Sequence, residues 1–282
     1  MNKNINNTHI GFNPSALDDY AEGHNSIIDK TILADSLYTE HPKDKAELVK
    51  IVMNRLHDKN GNRDLNDIDV SAITDFSAIF NNCNMEGVDV SSWIVSNGIY
   101  FNDMFRNTTN FNSDISNWDV SHGKTFSEMF SGCFDFNQDI SDWDVSSAED
   151  LSLMFNECGI FNQNIGGWNT FNCKNFHGMF SGCANFNQNI SGWDVSSGLF
   201  FGFMFFNCES FNQNLDDWQV KKEKHIENTQ FSYPARFNDM FHGCHSLKQN
   251  FNSWPIMQEF QVKNMFDDCP LMKKHLPDWY YK

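Results

Sequence analysis

The sequence predicts a repeat solenoid: short parallel β-strands on a concave face, turns or short helical segments on a convex face, and an α-helical cap at the N-terminal end. Three observations predict it. All eight Trp share one slot, at Trp93, Trp118, Trp143, Trp168, Trp193, Trp218, Trp254 and Trp279, 25 residues apart except for 36 between Trp218 and Trp254. Phe80, Phe105, Phe130, Phe155, Phe180, Phe205, Phe241 and Phe266 follow the same ruler, each after Met except the first, which follows Ile79. Cysteine keeps it too, at Cys83, Cys133, Cys158, Cys183, Cys208, Cys244 and Cys269, with Thr108 filling the missing place and Cys173 off register.

The ruler sets the organisation. Residues 1–40 have no clear period and many Asn, Asp and Ser, which reads as a loosely ordered arm. Residues 41–60 read as a helical cap, because Ala46, Val49, Met53 and Leu56 fall at helical spacing behind Asp44. This face either covers the open edge of the first unit or binds a partner helix, and the cap is the simpler role. Eight units of about 25 residues occupy 61–271, the seventh carrying an insertion at 221–236. Residues 272–282 form a partial unit, with Leu276 and Trp279 in register.

Within a unit the apolar order is F-x-x-x-I-x-x-W-x-V, a variable stretch, then M-F-x-x-C. The segment I-x-x-W-x-V matches the leucine-rich pattern L-x-x-L-x-L with aromatic residues replacing some leucines. Alternation at Trp118 and Val120 predicts a strand with both side chains inward. Such strands must stack into a parallel sheet, at about 4.8 Å per unit. In "FNQDISDWDVS", 136–146, Phe136, Ile140, Trp143 and Val145 therefore form columns with their equivalents. Asn112, Asn137, Asn162, Asn187 and Asn212 form a ladder serving turn backbone groups. The cysteines read as small buried thiols, since flat stacking rarely gives a disulfide its dihedral angle.

These units resemble the BspA-type leucine-rich-repeat surface proteins, specifically the 25-residue "FNQDIS-WDVS … MF--C" repeat of mycoplasma-type lipoproteins. The flank "KDKAELVKIVMNRL", followed by "DLNDIDVSAITDFSAIF", is similar to the lead-in helix and first unit of that family. The resemblance implies a leucine-rich-repeat-like fold and a binding surface at the cell exterior, often adhesive. The N-terminus shows no apolar signal segment and no lipobox Cys, which points the other way, to the cytoplasm.

A formal charge of −17 argues against nucleic acid and anionic membranes, and favours a basic protein partner. No apolar stretch is long enough to cross a bilayer. Asp69, Asp119, Asp144 and Asp194 lie between inward Trp and Val or their equivalents, so alternation turns them outward. Stacked carboxylates repel, and either a local Asp–Ser turn bond, a cation or a basic ligand must offset that. The expected partner-binding positions are Asp119, Asp144, Asn169, Asp194 and Gln219, with Phe171 and Lys221 on the neighbouring row. Phe171 stands where the other units have Ser121, Ser146 and Ser196.

The insertion "KKEKHIENTQFSYPAR" gathers Lys221, Lys222, Lys224 and Arg236 beside Phe231, Tyr233 and Pro234, and is either a recognition loop or a neutral insertion. Asp58, Asn60, Asn62, Asp64, Asn66 and Asp69 have calcium-loop spacing, but Arg63 takes the glycine place and Asp69 that of the bidentate Glu. A turn from cap to first unit accounts for them better. His242, Cys244 and His245 lie close in sequence, but Cys244 belongs to the core column. No catalytic motif appears, and no cofactor is implied. The expectation is a non-catalytic protein-binding module, either a bacterial surface or secreted protein in adhesion and host interaction, or an intracellular inhibitor or regulatory scaffold for a basic protein.

Overall fold

The computed structural model describes residues 38–58, 63–220, 237–255 and 262–280. Helix α1, Lys45–His57, opens the described chain. Asp44 Oδ1 accepts the Glu47 N–H of the first turn at 3.0 Å, and Glu47 Oε2 accepts the Lys43 N–H just before the helix at 2.9 Å, so the helix start is capped from both sides. The buried face is Leu48 and Val52, with Val49, Ile51 and Leu56 packed beside them. Ala46 is exposed, so the helix is rotated from the face that sequence spacing suggested. Arg55 fixes the helix to the first unit through Asp67, at 2.7 and 2.9 Å, and Lys45 reaches Asp75 at 3.1 Å.

Behind α1 the units stack through aromatic columns. Phe80 to Phe105 and Phe130 to Phe155 are parallel rings with centroids 5.3 and 5.8 Å apart. In each of four successive units the Phe of the M-F pair also lies 4.0 Å from the Phe of the F-N or F-N-Q phrase, as at Phe130–Phe136 and Phe180–Phe186. The stack passes over the insertion unbroken: Phe201 meets Phe237 at 5.2 Å and Phe205 meets Phe241 at 5.4 Å. Each of these side chains is fully buried, which is worth about 1.5–3 kcal/mol apiece.

The predicted leucine-rich-repeat-like solenoid with a parallel sheet does not form. Among the described residues there is one α-helix, a 3-10 helix at Met272–Lys274, and no strand longer than an isolated bridge. The bridges are parallel and run from unit to unit, Asp75 to Tyr100, Thr125, Asp150, Asn175 and Phe200. Two features explain the absence of strands. In the W-x-V segment the backbone folds into turns, with Trp118 N–H donating to Ile115 O at 3.1 Å and Gly123 N–H to Val120 O at 2.8 Å. In the M-F segment the backbone is left-handed every fourth residue, at Asp103 (φ 57°) and Asn107 (52°), then Glu128 (57°) and Gly132 (74°). Extended backbone cannot contain such residues.

That same alternation creates a different ladder. Asp103, Phe105 and Asn107 donate N–H to Ser127, Met129 and Ser131 of the next unit, at 2.9, 2.9 and 2.7 Å. Glu128, Phe130 and Gly132 repeat this to Ser152, Met154 and Asn156. The M-F segment is thus a run of turns joined by backbone, where sequence reading expected short helical pieces.

Two side-chain ladders complete the joints. Every indole donates Nε1–H to a carbonyl of the preceding unit, Trp143 to Ile115 and Trp168 to Ile140 at 3.0 and 3.1 Å, and Trp254 across the insertion to Leu215 at 3.0 Å. The asparagine ladder forms from Asn137 onward: Asn137 Oδ1 accepts Asn162 N–H, Asn162 accepts Asn187, and Asn187 accepts Asn212, at 2.9, 3.0 and 2.9 Å, while Asn112 accepts from the Gln138 side chain. The neighbouring Gln163, Gln188 and Gln213 add Nε2–H bonds to the Asn137, Asn162 and Asn187 carbonyls, each at 2.8 Å, a role the sequence reading did not assign.

Candidate binding surface

The side chains expected to face a partner begin as turn formers. Asp119 Oδ1 accepts the Ser121 N–H at 3.1 Å, Asp144 that of Ser146 at 2.9 Å, Asn169 that of Phe171 at 3.2 Å, and Asp194 that of Ser196 at 2.9 Å. The Asp–Ser turn bond is therefore the local partner of this column. Ser146 holds the Asp144 carboxyl below its ordinary range, through both its side-chain and backbone hydrogen bonds. Asp69 is likewise lowered: burial works against the charged form, and bonds from Ser71 and His41 outweigh it.

All of Asp119, Asp144, Asn169, Asp194 and Gln219 are exposed. Phe171 is 53% exposed, with its ring outside the apolar columns. Thr170, standing where other units have Val, is buried and donates to Asp194 O at 2.9 Å, joining the unit of Asn169 to that of Asp194. Lys221, Lys222, Lys224, Phe231, Tyr233 and Arg236 lie outside the described residues, as do Asn60 and Asn62 of the calcium-like spacing.

Of that spacing, Asp64 Oδ1 accepts Asn66 N–H at 2.9 Å, Asn66 Oδ1 accepts Ser92 N–H at 2.7 Å, and Asp69 turns to Ser71. These oxygens serve separate turns. Among the described residues no three His, Cys, Asp or Glu side chains gather as a metal site. His242, Cys244 and His245 also diverge: Cys244 donates to Phe205 O at 3.1 Å, His245 meets Asp268 at 3.1 Å, and His242 stacks on Phe206.

The thiols are engaged in the same manner as the indoles. Cys133, Cys158, Cys183, Cys208 and Cys269 donate to the Phe carbonyl 28 residues earlier, at 2.8 to 3.0 Å. Burial pushes Cys133 and Cys269 up to about 11 and drives Cys158, Cys208 and Cys244 well above the ordinary thiol range. The off-register Cys173 occupies the place of Gly98, Gly123 and Gly198, and burial raises it to about 12.

The arrangement defines a stacked-repeat protein with an exposed acidic row, and comparison with known families agrees on the repetition. Residues 51–159, 138–239 and 223–282 match the family described as Mycoplasma protein of unknown function, DUF285, and the chain belongs to that family. No curated protein and no solved structure matches it. Among the described residues no helix is long and apolar enough to cross a membrane.

Proposed function

We propose that this chain is a non-catalytic protein-binding scaffold whose exposed row, Asp119, Asp144, Asn169, Asp194 and Gln219 with Phe171, receives a basic protein partner. The observation that carries this reading is Phe171. A large aromatic stands 53% exposed beside a carboxylate row, where neighbouring units place Ser121, Ser146 and Ser196. An exposed aromatic ring is the kind of anchor on which interfaces concentrate their binding energy. The carboxylates supply long-range attraction for a cationic partner, because a net charge of −17 leaves little else to cancel them.

The resemblance to BspA-type surface proteins favours a bacterial surface or secreted protein acting in adhesion. A second reading, an intracellular inhibitor or regulatory scaffold, is favoured by the eight cysteines, all free thiols. Fractionation of the producing cells separates the two, since material confined to the cytosol defeats adhesion. The binding reading is tested by pull-down from candidate extracts at low and high salt. Capture that weakens with salt and is lost in Asp144→Ala with Asp194→Ala, or in Phe171→Ser, supports the row. Capture untouched by these changes removes it.

A further inference from the structure

Unit 186–210 departs from the pattern of outward residues. It reads "LFFGFMFFNC" from Leu199 to Cys208, placing Phe200, Phe203 and Phe206 around the buried Phe201, Met204 and Phe205. The equivalents of Phe203 are Asp103, Glu128, Leu153, Gly178 and Asp239, none of them aromatic, and those of Phe206 are Arg106, Ser131, Asn156, Ser181 and His242. All three extra rings are only half-buried. Phe203 meets His177 edge-on at 5.6 Å and Phe206 at 5.6 Å, and Phe206 stacks on His242 at 4.9 Å. Four rings thus form a strip crossing three successive units.

Phe203 sits there at φ 59°, left-handed backbone that a bulky side chain rarely adopts and that Gly178 fills in the preceding unit without penalty. Its ring gains only partial burial in return. The position is left-handed in every unit, Glu128 (φ 57°) and Leu153 (φ 55°) included, so the backbone belongs to the fold, and what sets unit 186–210 apart is an aromatic ring left half-exposed on it. Next to the His177 end is a shallow cavity of about 190 Å³ lined by Ser152, Asn175, His177 and Phe200. At the far end the His242 Nδ1 is buried without a hydrogen-bond partner, 3.8 Å from Asp239 Oδ1.

We propose that the strip His177–Phe203–Phe206–His242, with the adjoining cavity, docks a segment of a partner protein that carries one apolar anchor beside Lys or Arg. The cavity is smaller than the roughly 300–1,000 Å³ of small-molecule sites and suits one large side chain. Asp150, whose charge acts on His177, and Asp239, beside His242, lie at the two ends of the strip. A Lys or Arg next to the apolar anchor therefore meets a carboxylate at either end. This surface shares no residue with the acidic row and stands even if that row binds nothing.

A random peptide library displayed on phage and panned against the full chain provides the probe. The expected result is enrichment of peptides with an aliphatic or aromatic residue next to Lys or Arg. Their affinity falls at least about thirtyfold in Phe203→Gly and Phe206→Ser, the loss that a hot-spot truncation causes, and is unchanged in Phe171→Ser. Phe203→Gly keeps or raises the melting temperature, because it relieves the left-handed backbone. Failure to enrich such peptides, dependence on Phe171 in place of Phe203, or a lower melting temperature in Phe203→Gly with binding intact overturns the proposal. So does concentration-dependent self-association that Phe203→Gly abolishes, since the occupant is then a second copy.

Discussion

Trp168 and Cys183 make the same joint with different atoms. The indole Nε1–H of Trp168 donates to Ile140 O at 3.1 Å, and the Cys183 thiol donates to Phe155 O at 2.9 Å, each 28 residues earlier. Each carbonyl also receives a turn N–H from its own unit, Trp143 onto Ile140 and Cys158 onto Phe155. The indole keeps its proton at any pH a protein survives, whereas the thiol can lose it. One joint is permanent and strong, the other weak and titratable. Between them the backbone ladder and the buried Phe stack link the units, while the outward side chains vary: Asp103, Glu128, Leu153, Gly178, Phe203 and Asp239 occupy one position. Residue identity recurs where a side chain makes the joint and lapses where the backbone makes it.

Alkali breaks the weaker joint wherever a thiol makes it, and this is the largest expected effect. A thiol whose folded value is raised stabilises the fold fully below its unfolded value near 9, and that contribution is lost as pH rises through the folded value, about 11 for Cys133 and Cys269. Each such thiol removes about 1.4 kcal/mol per pH unit over that span. Urea midpoints followed by circular dichroism should fall steeply above about pH 9, with several thiols acting together. A flat profile to pH 11 would show that the thiols ionise as readily in the fold as in the unfolded chain and that burial does not hold them protonated.

The permanent joint is tested by Trp168→Ala, which should cost about 3–5 kcal/mol, and by Trp168→Phe, which keeps a ring but deletes the donor and should cost about 1–2 kcal/mol. Chemical denaturation measures both. If the phenylalanine variant is as stable as the parent, the column depends on ring stacking alone and the contrast with cysteine disappears.

Much of this was legible beforehand. The Trp, Phe, Cys and Asn columns and the jump across the insertion follow from spacing alone, and the indole bonds could have been found by asking where a buried Trp N–H finds an acceptor. The strands were misread because Trp118 and Val120 alternate inward just as strand residues do, while their backbone is held by turns. Left-handed backbone at Asp103, Glu128 and Leu153 carries no residue signal, since none is the glycine that usually announces it. The cap helix existed as read, yet Leu48 and Val52 face inward in place of Ala46, because a four-position stripe on so short a helix admits two neighbouring rotations. Of the acidic row, exposure and the turn bonds followed from the D-V-S phrase. The strip at Phe203 did not, because those rings look like more core until the columns show which positions point out.

A smaller effect sharpens the cysteine side of the comparison. Thr108 fills the thiol's place in unit 86–110 but donates to Phe105 O of its own unit at 2.8 Å, whereas Cys133 reaches back to that same Phe105 O from the next unit. Cys133→Thr should therefore delete the joint between the units and cost about 1 kcal/mol at pH 7. It should also remove one thiol's share of the alkaline slope. A large loss at pH 7 with an unchanged slope would mean that sulfur packing, not the S–H bond, holds the position.

The smallest effect on folding belongs to the acidic row. Asp144→Ala deletes one turn bond on an exposed residue and should cost no more than about 0.5–1 kcal/mol. The sign with pH follows from its lowered value: its contribution is present above the ordinary carboxylate range and is lost as pH falls through the folded value. The same substitution should weaken capture of a basic partner far more than it weakens the fold, and more at low salt than at high. Urea midpoints and salt-dependent binding on one variant thus measure two roles of one carboxylate. Equal losses in both would make Asp144 a turn residue and nothing more, and the row would join the indoles as part of the joint.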